Sequence, residues 1–201
     1  MTMILFRPAE TEAELLGILR LQKENLPQSI SESEKAEQGF VTVNHSLGQL
    51  AEMNAIAPHL IAKDGEAVVG YILAMTKASK DLVPVLVPMF GQFESLSYAG
   101  QPVSTSQYLV IGQICVGKNY RGQGIFDRMY EAYSAYFSDR FDFAITEIAV
   151  SNIRSIKAHQ RVGFEVIHEF SDSTEDWAIV ALNWKNQKSR SDKDSLDSKK
   201  K

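Results

Sequence analysis

The chain of 201 residues contains a single cysteine, six prolines and four histidines. Cys115 has no partner for an intramolecular disulfide, and no paired Cys/His clusters supply the donor sets that structural zinc uses. Such a composition fits a reducing, cytoplasmic compartment. No apolar run approaches the roughly 18 residues of a membrane span. Met1 to Pro8 carries one cation and a four-residue apolar run, short of the roughly 7 to 15 residues of a secretory core, and reads as a first strand. The sequon Asn44-His45-Ser46 then reads as a polar turn. Basic residues are in deficit, with a net charge of −4, so nothing in the overall charge draws the chain to nucleic acid or to an anionic bilayer. Small molecules or proteins are the expected partners.

Apolar residues make up 44% and charged residues 23%, enough to bury the core of one soluble domain. The exception is 185–201, where seven Lys/Arg stand against three Asp and Leu196 is the only large aliphatic residue. Such a segment is expected to be a disordered charged tail. The domain is therefore expected over 1–184, with 14 basic and 22 acidic side chains, a net of −8.

Thr11 to Glu14 has capping-box spacing and predicts a first helix that buries Leu15, Leu16, Ile18, Leu19 and Leu21. Ser31 to Glu34 repeats the pattern and predicts a short helix ending near Gly39. From His59 to Met75, two apolar runs flank Asp64-Gly65, a hairpin signal. Residues 77–106 are broken by Pro84, Pro88, Gly91, Gly100 and Pro102 and read as an insertion or lid. Phe90, Phe93, Tyr98 and Tyr108 lie in or beside it, either lining an acceptor pocket or forming a core beneath a long loop. A strand is expected over Tyr108–Val116, then a glycine turn and a helix from Gly122 with Ile125, Met129, Ala132, Tyr133, Tyr136 and Phe137 on one side. A strand over Phe141–Val150, a helix over Asn152–Val162 and strands over Phe164–Phe170 and Trp177–Trp184 complete the chain.

The stretch Asn119-Tyr120-Arg121-Gly122-Gln123-Gly124 stands between a strong strand and a strong helix. Free amides at a helix N-terminus, with the helix dipole, make an anion site, and glycines let phosphate oxygens come close. Two other phosphate motifs fit less well. Gly112 to Asn119 has Walker-loop spacing, but Asn119 stands where a magnesium-binding hydroxyl belongs and Ile114, Cys115 and Val116 continue a strand. A dinucleotide fingerprint lacks its third glycine, since Asp127 occupies that place.

This stretch resembles the cofactor motif of the GNAT superfamily of acetyl-CoA-dependent N-acetyltransferases, although Asn119 departs from the usual Gln or Arg and Phe126 from a common Gly. A second block, Asn152 to Phe164, looks like the family's Asn-initiated helix ending in Gly163-Phe164. The resemblance implies an α/β fold: a mixed, mostly antiparallel sheet, splayed at a central wedge between Val116 and Val150 and flanked by helices. It implies coenzyme A in that wedge, with backbone groups of Ile114, Cys115 and Val116 pairing with the pantetheine arm. Amides of Arg121, Gly122, Gln123, Gly124, Ile125 and Phe126 would hold the diphosphate. Asn152 would contact the arm, or cap its helix, or both.

The implied activity is direct transfer of an acetyl group from acetyl-CoA to a primary amine in a ternary complex, with no metal. The acceptor is a small molecule or peptide, and a homodimer is an analogy with relatives. Val116 N–H occupies the oxyanion-donor position. His159 stands where many relatives have the proton-donating Tyr, and Glu147 is the candidate base. The alternative is a non-catalytic regulatory module that keeps acyl-CoA binding. Cys115 reads as a small hydrophobe, not a nucleophile.

Overall fold

The computed structural model describes residues 3–31, 33 and 41–184. The helix expected from Ser31 toward Gly39 falls largely, and the charged tail entirely, outside the described residues. Seven strands form one sheet in the order β1-β2-β3-β6-β7-β9-β8, from β1 (Leu5–Pro8), β2 (Leu60–Asp64), β3 (Ala67–Met75), β6 (Tyr108–Val116), β7 (Phe143–Ala149), β8 (Glu165–Ser171) and β9 (Asp176–Asn183). Every pairing is antiparallel except β6 with β7.

Helix α1 (Glu12–Asn25) starts on the expected capping box: the Thr11 hydroxyl accepts from Glu14 N–H, and the Glu14 carboxylate accepts from Thr11 N–H. Burial alone would raise the Glu14 pKa, but the Glu10 amide, Lys63 and Arg7 outweigh it and hold the carboxyl at about 2. The helix buries Leu15, Ile18 and Leu21, while Leu16, expected inside, is half exposed. Helix α2 (Leu47–Ile56) was not expected. It starts on a second capping box, between Ser46 and Gln49, directly after the sequon.

Residues 77–106 do contain regular structure: helix α3 (Val87–Glu94) and a small hairpin of β4 (Ser97–Tyr98) and β5 (Gln101–Pro102). Its Phe90, Phe93, Tyr98 and Val103 join Tyr108, Phe143 and Ile145 in the core on one face of the sheet. That face is covered by α1, α2 and this segment. The other is covered by α4 (Ile125–Phe137) and α5 (Ile153–Val162), with Met129, Tyr130, Tyr133, Phe137 and Phe164 packed on Ile72, Leu109 and Val180. Tyr130, unanticipated, is fully buried, whereas Tyr136 is partly exposed. Among the described residues no helix is long and apolar enough to cross a membrane.

The wedge arises at β6 and β7. Their parallel pairing runs only from Tyr108–Phe143 to Val110–Ile145. Next, the Thr146 hydroxyl donates to the Ile111 carbonyl at 2.8 Å, substituting a side chain for the next ladder bond. Beyond it the strands part, β6 staying with β3 and β7 with β9. The β6 register against β3 slips at Gly112, which has no partner between Ile111 and Gln113. A Cβ there would sit 2.8 Å from Met75 Sδ, so a larger residue at this bulge would have to displace the Met75 side chain.

Candidate active site

Two cavities occupy the wedge. The larger, about 310 Å³, lies between the end of β6, the glycine turn and the first turns of α4 and α5. The smaller, about 80 Å³, lies between β6 and β7 and reaches Trp177 on β9. Val41, Ile114, Asn152 and Ser155 line both, so the two meet there.

Nine of the ten residues expected at a cofactor line the larger cavity: Ile114, Cys115, Val116, Arg121, Gly122, Gly124, Ile125, Phe126 and Asn152. Gln123 is not among them, and its side-chain amide turns back to donate to the Asn119 carbonyl at 2.9 Å. Hydrogen-bond phase corrects the expectation for Cys115. Gly117 N–H donates to the Val69 carbonyl in the same register that pairs Val116 with Gly70 and Cys115 with Tyr71. Antiparallel pairs alternate between bonded and non-bonded, so Cys115 directs its backbone at Tyr71. Ile114 and Val116 direct theirs into the wedge. The Val116 carbonyl accepts from Arg121 Nε at 3.1 Å, as that phase requires.

Gly122 and Gly124 have φ of +72° and +73°, and Gly124 is the N-cap of α4. A Cβ on either would meet nothing within 4 Å. The glycines therefore bare the start of α4 toward open space, where the first amides of a helix lack intrahelical acceptors. Arg121 is less available than expected, because its guanidinium is also bonded to Asn25 Oδ1. Sequence reasoning missed Arg154, Arg161, Tyr120 and Asp127, which also line this cavity. Arg161 and Asp127 form a two-bond pair across α4 and α5, at 2.6 and 3.2 Å. The Tyr120 hydroxyl donates to Asp64 at 2.9 Å. Their signal is weak in one dimension, since each reads as an ordinary solvent-facing polar residue until the helices are packed. Asn152 caps α5, its Oδ1 accepting from Ser155 N–H at 3.2 Å.

Glu147 and His159 line the smaller cavity. Burial, with the Asp172 carboxylate adding to it, raises the Glu147 pKa to about 7, and Glu147 Oε2 is buried without a hydrogen-bond partner. Asp172 itself accepts from Thr174, Glu175 and, at 3.0 Å, Trp177 Nε1, which fixes the indole at the cavity wall.

His159 is buried and ringed by Phe126, Tyr130 and Phe164 at 5.0 to 5.6 Å between centroids. Its Nδ1 lies 2.8 Å from the Ser155 carbonyl, which only accepts, so Nδ1 carries the hydrogen. Nε2 then accepts from the Tyr130 hydroxyl at 2.8 Å. Burial lowers its pKa to about 4, so the ring is neutral near pH 7. Burial also pushes the Cys115 thiol up to about 12. None of Phe90, Phe93, Tyr98 or Tyr108 lines either cavity, nor does any other residue of 77–106. That segment places its aromatic side chains in the core.

A family model described as acetyltransferase (GNAT) family matches residues 16–164. Among solved structures, a chain of the NatC complex bound to Gag peptide and CoA superposes with a TM-score of 0.60 at 16% identity, covering 90% of this chain and 98% of that one. The ribosomal-protein-S18-alanine N-acetyltransferase from Escherichia coli gives 0.59 at 13%, covering 90% and 94%. An N-acetyltransferase from Staphylococcus aureus Mu50 gives 0.58 at 15%, covering 91% and 99%. A search of curated proteins by sequence gave no match.

Proposed function

Because the chain belongs to the GNAT acetyltransferase family, we propose that it transfers an acetyl group from acetyl-CoA to a primary amine, by direct transfer within a ternary complex. The single observation that carries this reading is the pair of joined cavities. One has a bared helix N-terminus and an unpaired strand edge, and the other has an unpartnered carboxylate in its wall.

The residues present fit coenzyme A. Open space over Gly122 and Gly124 accommodates a diphosphate against the start of α4. Ile114 and Val116 offer wedge-facing backbone groups to an amide-bearing arm, and Asn152 stands beside them. Arg154 lends positive charge to the wall of this cavity, while the charge of Arg161 is balanced by Asp127. When bound, acetyl-CoA supplies an activated acyl carbon. Val116 N–H, in the wedge-facing phase, is placed to donate to a developing oxyanion.

Glu147, with a pKa near 7, is suited to hold the amine's proton at neutral pH. An attacking amine must be neutral, and a carboxylate of ordinary acidity would be a poor acceptor for its proton. Cys115, the chain's one thiol, supports direct transfer, because burial keeps it protonated and a poor nucleophile. The non-catalytic alternative draws on His159, whose single N–H is committed to Ser155.

A panel of primary amines, spanning polyamines, amino sugars and short peptides with free N-termini or lysines, tests the proposal. Thiol release from acetyl-CoA is followed with each. Amine-dependent release together with a product heavier by one acetyl group is expected. Tight acetyl-CoA binding with no release across the panel would establish the binding module instead.

A further inference from the structure

Four residues line both cavities, and Ser155 is the only one of them with a hydroxyl. Val41 and Ile114 have no dissociable side-chain proton, and the Asn152 oxygen is occupied in capping α5. The place where a thioester sulphur and an amine must meet therefore has Ser155 in its wall. His159 lies behind it, lining only the smaller cavity.

The hydrogen bonds fix which atom has a proton to give. His159 Nδ1–H faces the Ser155 carbonyl at 2.8 Å and Ser155 Oγ at 3.3 Å. Toward His159 the Oγ can only accept, so its own hydrogen is available to an acceptor in the cavities that Ser155 lines. His159 Nε2 carries no hydrogen and accepts from Tyr130. The chain from Tyr130 through His159 to Ser155 ends with one hydroxyl at the cavity junction.

On the acetyl-transfer reading above, we propose that Ser155 is the catalytic proton donor to the departing thiolate and that His159 and Tyr130 are its positioning residues. Glu147 first takes one proton from the ammonium group. As the C–N bond forms and the C–S bond breaks, the C–S electron pair leaves with sulphur. Ser155 passes its hydroxyl proton to that sulphur and receives a second amine proton in exchange. The serine ends as it began, Glu147 gives its proton to solvent, the products are an amide, a thiol and that proton, and no alkoxide or imidazolium is left over. The depressed His159 pKa agrees, since a ring neutral at pH 7 is not the acid.

A hydroxyl that donates to this sulphur also stabilises the thiolate of bound coenzyme A, which gives a readout needing no acceptor. Enzyme-bound coenzyme A is alkylated with iodoacetamide across pH 6 to 10, and the alkylated coenzyme is quantified by mass so that Cys115 does not interfere. Ser155→Ala is expected to lower the thiolate fraction at pH 7 about tenfold, one pKa unit, with the coenzyme A Kd within twofold of wild type. Ser155→Thr keeps the hydroxyl and stays near wild type. His159→Phe shifts the thiol less than Ser155→Ala does. With an active amine, Ser155→Ala slows transfer roughly 10²-fold.

An unchanged thiol pKa in Ser155→Ala that still binds coenzyme A overturns the serine assignment and leaves acetyl transfer standing. So does a shift caused by His159→Phe alone, which makes the imidazole the donor. Failure of the wild-type protein to bind coenzyme A overturns the cofactor reading and the serine role with it.

Discussion

Glu147→Gln is expected to lower kcat at pH 7 by roughly 10²- to 10³-fold, within the usual contribution of a positioned base, and to leave the acetyl-CoA Kd within twofold. Glutamine keeps the size and shape of the side chain but cannot hold the amine's proton. The effect is large because nothing else in the wall of the smaller cavity replaces it. Of the ionisable groups there, His159 is neutral with both ring nitrogens engaged. The sign of the pH dependence follows from the raised pKa. Glu147 acts as a base only when ionised, so the wild-type rate climbs as pH rises through about 7 and levels off above it. The variant loses that limb and follows only the supply of neutral amine. A variant rate within threefold of wild type, with the limb intact, would make Glu147 a wall residue and not the base.

Gly124→Val is expected to weaken acetyl-CoA binding more than tenfold, about 1.4 kcal/mol or more. Two effects act in the same direction. At φ +73° a side chain is strained, by roughly 1 to 2 kcal/mol, and valine, branched at Cβ, relieves the strain by shifting the turn. The new methyl groups also project into the space above the α4 amides. Because that space is empty of protein atoms, the fold itself loses only the backbone strain, and thermal unfolding should stay cooperative. Isothermal titration of the variant beside the wild type reads the effect. Equal Kd values would show that no ligand approaches this turn.

The large elements were legible because each has an unambiguous period. Tyr108–Val116 came out with its observed ends, and α5 came out with Asn152 as its cap and Gly163, at φ +109°, as its stop. Helix α2 was missed although Ser46 and Gln49 carry a capping box, because a turn reading of the sequon took precedence over it. Helix α3 hid behind Pro88 and Gly91, where composition suggested a loop and tertiary packing of Phe90 and Phe93 prevailed. The orientation of Glu147 could not be read by alternation, since β7 is covered on both faces and nearly all its residues are buried.

At the site, the glycine turn was visible because local backbone alone makes it. The Cys115 backbone was misassigned because strand pairing phase depends on β3, some 40 residues away. Ser155 stands in the sequence as one more polar residue of a helix. Its meaning comes from His159 one turn on and from Tyr130, 29 residues before His159, and no window along the chain brings these together.

The most direct test is calorimetric titration of the purified protein with acetyl-CoA, with coenzyme A and magnesium ATP titrated alongside. The account predicts micromolar binding of both coenzymes at one site per chain and no heat from magnesium ATP. A folded protein that binds neither coenzyme would contradict it, for the glycine turn would then be only a turn and the wedge only a feature of the fold.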